Sequence, residues 1–364
     1  MAQGFTLSVY PWVYLAKYRE NGDWRGEFQE KPHKTPEEEE RLPAKELDSL
    51  LSLRNSFPEL PAVNYTTQYG LGCFEGLKAF PQRDGTSRLF RPEQNARRFA
   101  RSMEGLRMPP FPEELFVLAA KTVVRRNLEM GFSPKYDPSW ERDDFESGHS
   151  VYLRPFTYSE PAIGLGLSHE PWVVMVATPV SSYFRPGNSK AITTNTVRAF
   201  PGGTGWIKCD ANYVTPILAK KKAEAEGYME AVFLDATERR YVEEGSSCNI
   251  FFYLKGGKLV TPDLGDTILP GVTRDSVLTL AGDLHIPTEV RRIAIDEVMS
   301  DAREAFVTGT AAGVTFIESL THGGRTASFS EGGKTGEISR LLQHQLKGIQ
   351  YGALPDSHGW TLQA

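Results

Sequence analysis

The spacing of apolar residues predicts a chain of mixed helices and strands. Between Pro92 and Leu106, apolar residues recur at intervals of three and four, the pattern of a helix with one buried face and a proline at its first position. The same spacing predicts a second helix from Pro112 to Gly131. Short apolar runs predict strands at 88–90, 151–153 and 172–177, and residues 134–149 are expected to form a loop.

The second half of the chain is richer in strand patterns. Strands are predicted at Ala231–Asp235 and Asn249–Leu254, and Lys255-Gly256-Gly257-Lys258 predicts a hairpin turn into a further short strand. Helices are expected to begin near Tyr213 and Thr273, with a last amphipathic helix over 338–346. Because helices and strands are mixed without strict βαβ alternation, the fold class is expected to be α+β.

Proline, glycine and serine are concentrated between residues 179 and 189, and this segment predicts an interdomain linker. It divides the chain into an N-terminal domain, residues 1–178, and a β-rich C-terminal domain, residues 190–364. Residues 31–45 are rich in proline and charge, and four glutamates follow one another from Glu37 to Glu40. A charge run of this kind predicts a solvated surface segment.

Composition excludes several classes of protein. The formal net charge is 41 − 46 = −5, so the chain lacks the basic excess typical of nucleic-acid binding. Three cysteines without a CxxC pair exclude a disulfide framework, and seven scattered histidines give no metal-site spacing. No apolar run approaches the roughly 20 residues of a transmembrane helix, and no targeting segment is recognised. A cytoplasmic protein without a metal is therefore expected.

A glycine-rich segment, Gly202-Gly203-Thr204-Gly205, precedes Lys208. A nucleotide P-loop is excluded, because that motif places glycine directly before the lysine and serine or threonine directly after it, whereas this chain has Ile207 and Cys209. A lysine in apolar surroundings has a lowered pKa and a nucleophilic amine. Such amines form Schiff bases with carbonyl compounds, pyridoxal phosphate above all.

A pyridoxal phosphate site needs further groups, and the sequence offers candidates for each. Glu243 or Glu244, between two predicted strands, can supply a carboxylate for the pyridine nitrogen. The N-terminus of the helix that starts at Leu269–Thr273 suits a phosphate, as does the small-residue loop Thr308–Gly313. Arg91, at the junction of a strand and a helix, can supply a fixed cation.

With these segments in view, the chain resembles the branched-chain amino-acid aminotransferases, which are fold-type IV pyridoxal-phosphate enzymes. The resemblance runs from about Tyr65 to Gly352. Seven blocks carry it in the family's order: Tyr69–Phe80, Leu89–Pro92, Tyr152–Pro155, Gly202–Tyr213, Glu243–Phe251, Leu269–Arg274 and Thr308–Ala312. Residues 1–60 match poorly and receive no function.

The resemblance implies a role for each matching residue. Lys208 holds the cofactor and moves the proton, Glu244 pairs with the pyridine nitrogen, and Tyr213 binds the phenolic oxygen. The phosphate is held by Arg91, Val272, Thr273 and Thr310. The substrate pocket is lined by Tyr69, Phe74, Tyr152, Arg154, Tyr183, Ser247, Ala311 and Ala312.

The resemblance also implies the reaction: transamination of branched-chain L-amino acids with 2-oxoglutarate by a ping-pong Schiff-base mechanism, within amino-acid biosynthesis and by a homodimer. The family's animal members carry a CxxC pair where this chain has Ala312–Thr315, so no thiol switch is expected there. Asp210 stands where small residues are common and is expected to alter the local electrostatics. Other fold-type IV enzymes (D-amino-acid transaminases, aminodeoxychorismate lyases, amine transaminases) and a non-catalytic binding protein stay open as alternatives.

Overall fold

The computed structural model describes residues 8–181, 189–329 and 336–364. Over these ranges the helices are α1 (Pro36–Glu40), α2 (Ala44–Arg54), α3 (Tyr65–Tyr69), α4 (Pro92–Gly105), α5 (Glu113–Glu129), α6 (Val214–Ala225), α7 (Val272–Asp283), α8 (Ile295–Asp301) and α9 (Glu337–Gln350).

The strands are β1 (Trp12–Tyr18), β2 (Trp24–Glu30), β3 (Leu77–Pro81), β4 (Ser87–Phe90), β5 (Ser150–Tyr158), β6 (Trp172–Val180), β7 (Lys190–Thr194), β8 (Glu230–Leu234), β9 (Val242–Gly245), β10 (Asn249–Leu254), β11 (Leu259–Thr261), β12 (Thr288–Val290), β13 (Ala302–Gly309), β14 (Gly313–Ile317), β15 (Ser319–His322), β16 (Arg325–Ser328) and β17 (Thr361–Gln363). Two short 3-10 turns lie at Pro138–Asp143 and Asp210–Tyr213.

The chain divides into two compact units. The first comprises the described residues of Met1–Ser181 together with Lys208–Ala211 and Gln350–Ala364, and the second comprises those of Ser182–Ile207 and Asn212–Ile349. Most of the linker expected at 179–189 falls on 182–188, outside the described residues. The domain bounds read from the sequence therefore stay a prediction.

The first unit is built on a seven-stranded antiparallel sheet with the order β17-β4-β3-β5-β6-β1-β2. Helices α4 and α5 of this unit pack against each other through an aromatic cluster of Phe99, Phe111 and Phe116. Asn127 on α5 exchanges two hydrogen bonds with the main chain of Trp12, each of 2.9 Å. That pairing ties α5 to the sheet near its edge.

Most of residues 31–45 are exposed, as the charge run predicts, but Lys31 and Glu39 are buried exceptions. This segment contains α1, and the Glu39 side chain is buried, where it accepts hydrogen bonds from Arg54 on α2. Arg54 is fully buried and also donates to the carbonyls of Val9 and Pro32. A run of glutamates can therefore contain one residue of a buried ion pair, because Glu39 faces inward toward Arg54 while its neighbours stay in water.

The second unit contains two five-stranded sheets, β12-β11-β10-β13-β14 and β16-β15-β7-β8-β9. One apolar core takes residues from both, including Val232 and Val242 from the second sheet and Ile250, Phe252 and Val307 from the first. Helix α6 packs on β8 through alanines and Phe233. The predicted hairpin is confirmed, since β10 pairs with β11 in antiparallel register.

Most of the predicted elements are confirmed, including α4, α5, α7 and α9. Strand β5 is longer than predicted and runs to Tyr158, and the expected loop at 134–149 contains one 3-10 turn. Across the described ranges, no helix is long and apolar enough to cross a bilayer. Nor do the described side chains include a cluster of three potential metal ligands.

Candidate active site

Lys208 belongs to the first unit, where its main chain is held on both sides. Its N–H donates to Ser102 Oγ at 3.0 Å, and its carbonyl accepts from the Phe74 N–H at 3.1 Å. Two residues on, the Asp210 N–H donates to the Gly72 carbonyl at 2.9 Å. The lysine is therefore fixed against the segment that precedes β3 and against α4.

The Lys208 amine is desolvated and surrounded by charges of both signs. Its Nζ lies 4.7 Å from the centroid of the Phe74 ring. Burial, followed by the positive charge of Arg98, lowers the pKa of Lys208 to about 8, against the opposing influence of Glu75. Tyr152 raises this pKa and Arg154 lowers it. A substantial fraction of the amine is thus neutral near physiological pH.

Glu75 and Arg98 form a buried ion pair that sequence reasoning missed. Arg98 Nε donates to Glu75 Oε1 at 2.6 Å and Arg98 Nη2 to Glu75 Oε2 at 2.9 Å, while Asn95 Nδ2 donates to the same Oε2. Burial is the largest single influence and raises the pKa of Glu75. The charge and hydrogen bonds of Arg98, the Lys208 charge and the Asn95 hydrogen bond together outweigh burial, so the net shift of the pKa is downward. A signal was present in the sequence, because Asn95 and Arg98 lie on the apolar face of α4, where a polar or charged side chain needs a buried partner.

Two candidate substrate residues of the first unit, Phe74 and Tyr152, lie beside Arg154 on β5. Its Nη2 donates to the Tyr152 hydroxyl at 2.9 Å, and its guanidinium lies 4.6 Å from the Phe74 ring centroid. The Nε of Arg154 is buried, and no partner for it occurs among the described residues. Tyr69, the last residue of α3, is half exposed. This surface combines aromatic walls with one cation.

Asp210 follows the lysine closely and is largely buried. Burial raises the pKa of its carboxyl group to about 6, and the Arg154 charge opposes that rise. The pKa of the Asp210 carboxyl group therefore lies well above that of an ordinary aspartate.

Arg91 caps α4 in the left-handed conformation, with φ 50°. Its N–H donates to the carbonyl of Trp360 at 2.7 Å, and its guanidinium lies 4.9 Å from the Trp360 ring centroid. The C-terminal segment thus orients the predicted phosphate-binding arginine. Sequence reasoning gave Trp360 no role, since it lies far from every motif.

In the second unit, Glu244 lies buried on β9 and is held by donors from three other segments. Arg198 Nη1 forms an ion pair with Glu244 Oε1 at 2.7 Å, Asn249 Nδ2 donates to Oε2 at 3.2 Å, and the Leu269 N–H donates to Oε1 at 3.3 Å. Arg198 is as buried as its partner. Arg198 and Asn249 were also missed, because no local sequence pattern connects them with Glu244.

The predicted phosphate loop lies beside this carboxylate. Helix α7 begins after Gly271 without a side-chain cap, with Val272 and Thr273 in its first turn. A Cβ at Gly271 would lie 2.0 Å from Asn249 Oδ1, so only glycine allows the loop to approach. Thr308, opposite Asn249 in the β10–β13 register, has a buried hydroxyl that finds no partner among the described residues.

The remaining predicted site residues also belong to the second unit. Thr310, Ala311 and Ala312 form the turn between β13 and β14, and Tyr213 ends the 3-10 turn that precedes α6. A Cβ at Gly309 would lie 3.7 Å from the Ser247 carbonyl, which places Ser247 beside the β13–β14 turn. Tyr183 lies outside the described residues.

Comparison with known proteins identifies the family of this chain. The profile of the family described as Amino-transferase class IV matches residues 72–320. The branched-chain-amino-acid aminotransferase of Mycolicibacterium smegmatis is 38% identical over 80% of this chain and 79% of its own. Branched-chain-amino-acid transaminase 1 of Bacillus subtilis is 39% identical over 81% of this chain and 82% of its own.

A crystal structure is similar over nearly the whole chain. The T.th. branched-chain amino acid aminotransferase complexed with N-(5'-phosphopyridoxyl)-L-glutamate superposes with a TM-score of 0.70 and 28% identity, covering 97% of this chain and 98% of that one. The predicted α+β, fold-type IV architecture is confirmed. The chain belongs to the class IV aminotransferases, among the branched-chain-amino-acid aminotransferases.

Proposed function

We propose that this aminotransferase uses pyridoxal 5'-phosphate to transfer the amino group of branched-chain L-amino acids to 2-oxoglutarate, giving branched-chain 2-oxo acids and L-glutamate. The observation that carries the proposal is Lys208, a partly buried lysine with a pKa of about 8 and a main chain fixed on both sides. A fixed, partly neutral amine is what covalent binding of an aldehyde cofactor requires.

The residues present fit that cofactor. Glu244 keeps a buried negative charge opposite Arg198, as a partner for a protonated ring nitrogen must. The start of α7, which has no side-chain cap, suits a phosphate dianion, and Gly271 lets this loop pack directly against Asn249. The buried Thr308 hydroxyl, without a partner among the described residues, marks a polar surface prepared for a ligand.

Pyridoxal phosphate, when bound, supplies a carbonyl that condenses with amines and a ring that delocalises the electrons of the substrate α-carbon. Lys208 would hold the cofactor at rest and, once displaced by the substrate amine, would move the proton of the α-carbon. At pH 7.5 a pKa of about 8 leaves roughly a quarter of the amine neutral, against about one part in a thousand for an ordinary lysine. Glu244 would stabilise a protonated ring nitrogen.

Other residues would bind and orient. Arg91 with Val272, Thr273 and Thr310 would hold the phosphate, and Tyr213 would donate to the phenolic oxygen. Three small residues would leave space for the substrate carboxylate. They are Ser247 beside β10, and Ala311 and Ala312 in the β13–β14 turn.

Substrate choice follows from Arg154 and its aromatic neighbours. Phe74, Tyr152 and Tyr69 offer apolar surface to a leucine, isoleucine or valine side chain. The Arg154 guanidinium, oriented by the Tyr152 hydroxyl, offers a cation to the second carboxylate of glutamate. Because apolar rings and a cation lie side by side here, one pocket can accept both kinds of substrate. Replacing Arg154 with Gln should raise the KM for glutamate far more than the KM for leucine, and an equal rise would contradict this role.

We also propose that the enzyme is a homodimer. Ile163 and Leu165 are 82% and 93% exposed, and Leu167 beside them is half exposed. A loop with three exposed branched residues is typical of an interaction surface. Light scattering on Leu165→Glu should show a monomer where the parent chain is a dimer, and a parent chain that is monomeric would contradict the proposal.

The location proposed for the enzyme is the cytoplasm. Cys73, Cys209 and Cys248 are all free thiols, as a reducing compartment favours. Cell fractionation, with recovery of the protein in a membrane or secreted fraction, would contradict it.

The first experiment is a near-visible absorption spectrum of the purified protein with pyridoxal phosphate, before and after L-leucine. We expect a yellow band that collapses with L-leucine and returns with 2-oxoglutarate. Lys208→Ala should lack the band, and the matched control Lys220→Ala, another partly buried lysine, should keep it. A band that responds only to D-leucine would contradict the proposed L-amino-acid substrate. The absence of any band would contradict the proposed cofactor.

A further inference from the structure

Of the charged groups that act on Lys208, Glu75 and Arg98 form a buried, hydrogen-bonded ion pair. Glu75 is fully buried, and its Oε2 accepts from three groups: Arg98 Nη2 at 2.9 Å, Asn95 Nδ2 at 2.9 Å and the Gly76 N–H at 3.0 Å. Its Oε1 accepts from Arg98 Nε at 2.6 Å. Because the pair is bidentate and buried, the Arg98 charge is fixed in position.

This pair is also joined to the lysine through the main chain. Ser102, one turn after Arg98 on α4, donates its hydroxyl to the Arg98 carbonyl at 2.9 Å. The hydroxyl proton is thereby used, and the oxygen accepts from the Lys208 N–H at 3.0 Å. The same turn of helix therefore carries the Arg98 charge and holds the Lys208 main chain.

We propose that Arg98 is a positioning residue for Lys208, anchored by Glu75 and joined to the lysine main chain through Ser102, which keeps one fixed positive charge beside the amine. The inference rests on the proposed function of Lys208 as the group that moves the substrate proton. A neighbouring cation disfavours the ammonium form and so enlarges the neutral fraction that can accept a proton.

The electrostatics have a sign that can be tested. Arg98 lowers the pKa of Lys208 and Glu75 raises it, with Arg98 the stronger of the two. Two further groups of the first unit act on the amine: Tyr152, which raises the pKa, and Arg154, which lowers it. Removing the Glu75 charge should therefore lower the pKa of Lys208 further. Removing Arg98 should raise it.

A purely structural brace would behave differently. Loss of either partner would then loosen the site, admit water and relieve the burial that lowers the Lys208 pKa. Both substitutions would raise the pKa under that explanation. Glu75→Gln separates the two, because the charge explanation alone predicts a fall.

The experiment measures the protonation of Lys208 directly. The protein is loaded with pyridoxamine phosphate, which carries an amine in place of the aldehyde and leaves Lys208 uncombined. It is then treated with a trace of acetic anhydride across pH 6 to 11. Mass spectrometry of the Lys208 peptide gives the midpoint of labelling. In Glu75→Gln we expect the labelling midpoint to fall by at least about 0.5 pH unit, which is roughly a threefold change in the acid dissociation constant of Lys208.

Three further variants keep the test decisive. Arg98→Lys retains the charge and should keep the midpoint close to that of the parent chain. Arg98→Met leaves Glu75 buried without its cation and can fail to fold, so the double variant Glu75→Gln/Arg98→Met is made as well. Its midpoint should lie above that of Glu75→Gln alone, because the stronger of the two charges has gone.

Glu39→Gln is the matched control, since Glu39 forms another buried arginine pair of the first unit. It should lower the resistance to urea without moving the Lys208 midpoint. A midpoint that rises or stays constant in Glu75→Gln, or one that shifts equally in Glu39→Gln, would overturn the proposal.

The readout does not depend on turnover. Pyridoxamine phosphate is added directly, so no amino acid substrate is needed, and the same titration on cofactor-free protein should give the same order of midpoints. If L-leucine does not react, the proposed function fails while these midpoints still decide the role of Arg98. In active enzyme, the acid limb of the kcat profile should shift in the same direction as the labelling midpoint, with the KM for leucine unchanged.

Discussion

Gly76 is a position where one added methyl group should change substrate preference. It follows Glu75 directly and precedes β3, and a Cβ placed there would lie 2.1 Å from the Tyr152 hydroxyl and 2.8 Å from its Cζ. Ordinary contact needs about 3.5 Å, so the hydroxyl would have to retreat by roughly 1.4 Å. The Tyr152 ring is 6% exposed and cannot swing into solvent.

The displaced hydroxyl is the group that orients Arg154, whose Nη2 donates to it at 2.9 Å. Hydrogen bonds to a charged group contribute about 1.5–3 kcal/mol. If half or more of that is lost to glutamate binding, the KM for glutamate in Gly76→Ala should rise roughly tenfold, since about 1.4 kcal/mol is a factor of ten. Overpacking should also reduce the free energy of unfolding by about 1–3 kcal/mol.

The assay is steady-state kinetics with L-glutamate and L-leucine as amino donors, beside urea unfolding. Gly256→Ala is the matched control, because a Cβ there meets nothing within 4 Å and its φ lies outside the left-handed region. In the double variant with Arg154→Gln, the effect on glutamate should be less than additive, since both changes remove the same interaction. Equal rises in KM for both substrates, or full additivity, would refute the reasoning.

Three further predictions concern the buried charges. Arg54→Met should destabilise the protein by about 3–5 kcal/mol in urea unfolding, because Glu39 and two carbonyls lose their donor. The folded-state pKa of Glu75 lies below its ordinary value, so its stabilisation is present above the unfolded pKa and is lost as pH falls through the folded pKa. Unfolding of Glu75→Gln should therefore depend less on pH below about 4.5 than unfolding of the parent chain. Arg198→Gln should weaken pyridoxal phosphate binding at least about tenfold in an absorbance titration, because Glu244 loses its ion pair.

Each of these has a contrary outcome. A loss below about 1 kcal/mol in Arg54→Met would show that the pair contributes no more than an exposed one. If the stability of Glu75→Gln below about pH 4.5 changed with pH as steeply as that of the parent chain, Arg98 would not be holding the Glu75 carboxyl group ionised. Cofactor affinity unaffected in Arg198→Gln, against a marked loss in Glu244→Gln, would show that the carboxylate does not need its arginine.

The local elements and the chemistry of Lys208 follow from the sequence alone. The 3.6-residue spacing after Pro92 specified α4, and Gly256-Gly257 between apolar runs specified the β10–β11 hairpin, because both depend on neighbours along the chain. The excluded P-loop and the apolar residues before Lys208 also directed attention to a Schiff-base lysine. These inferences need only short-range geometry. The seven segments that resemble the family then predicted the other residues of the site.

The groups that set the charge around Lys208 and Glu244 are brought together by the tertiary structure. Glu75 and Lys208 are far apart in sequence, and Arg198 precedes Glu244 by more than forty residues, so no periodicity connects them. The same holds for Glu39, which lies in an acidic run yet is buried against Arg54. Desolvation and ion pairing depend on distances across the folded chain, and those distances come from packing, which local pattern does not encode.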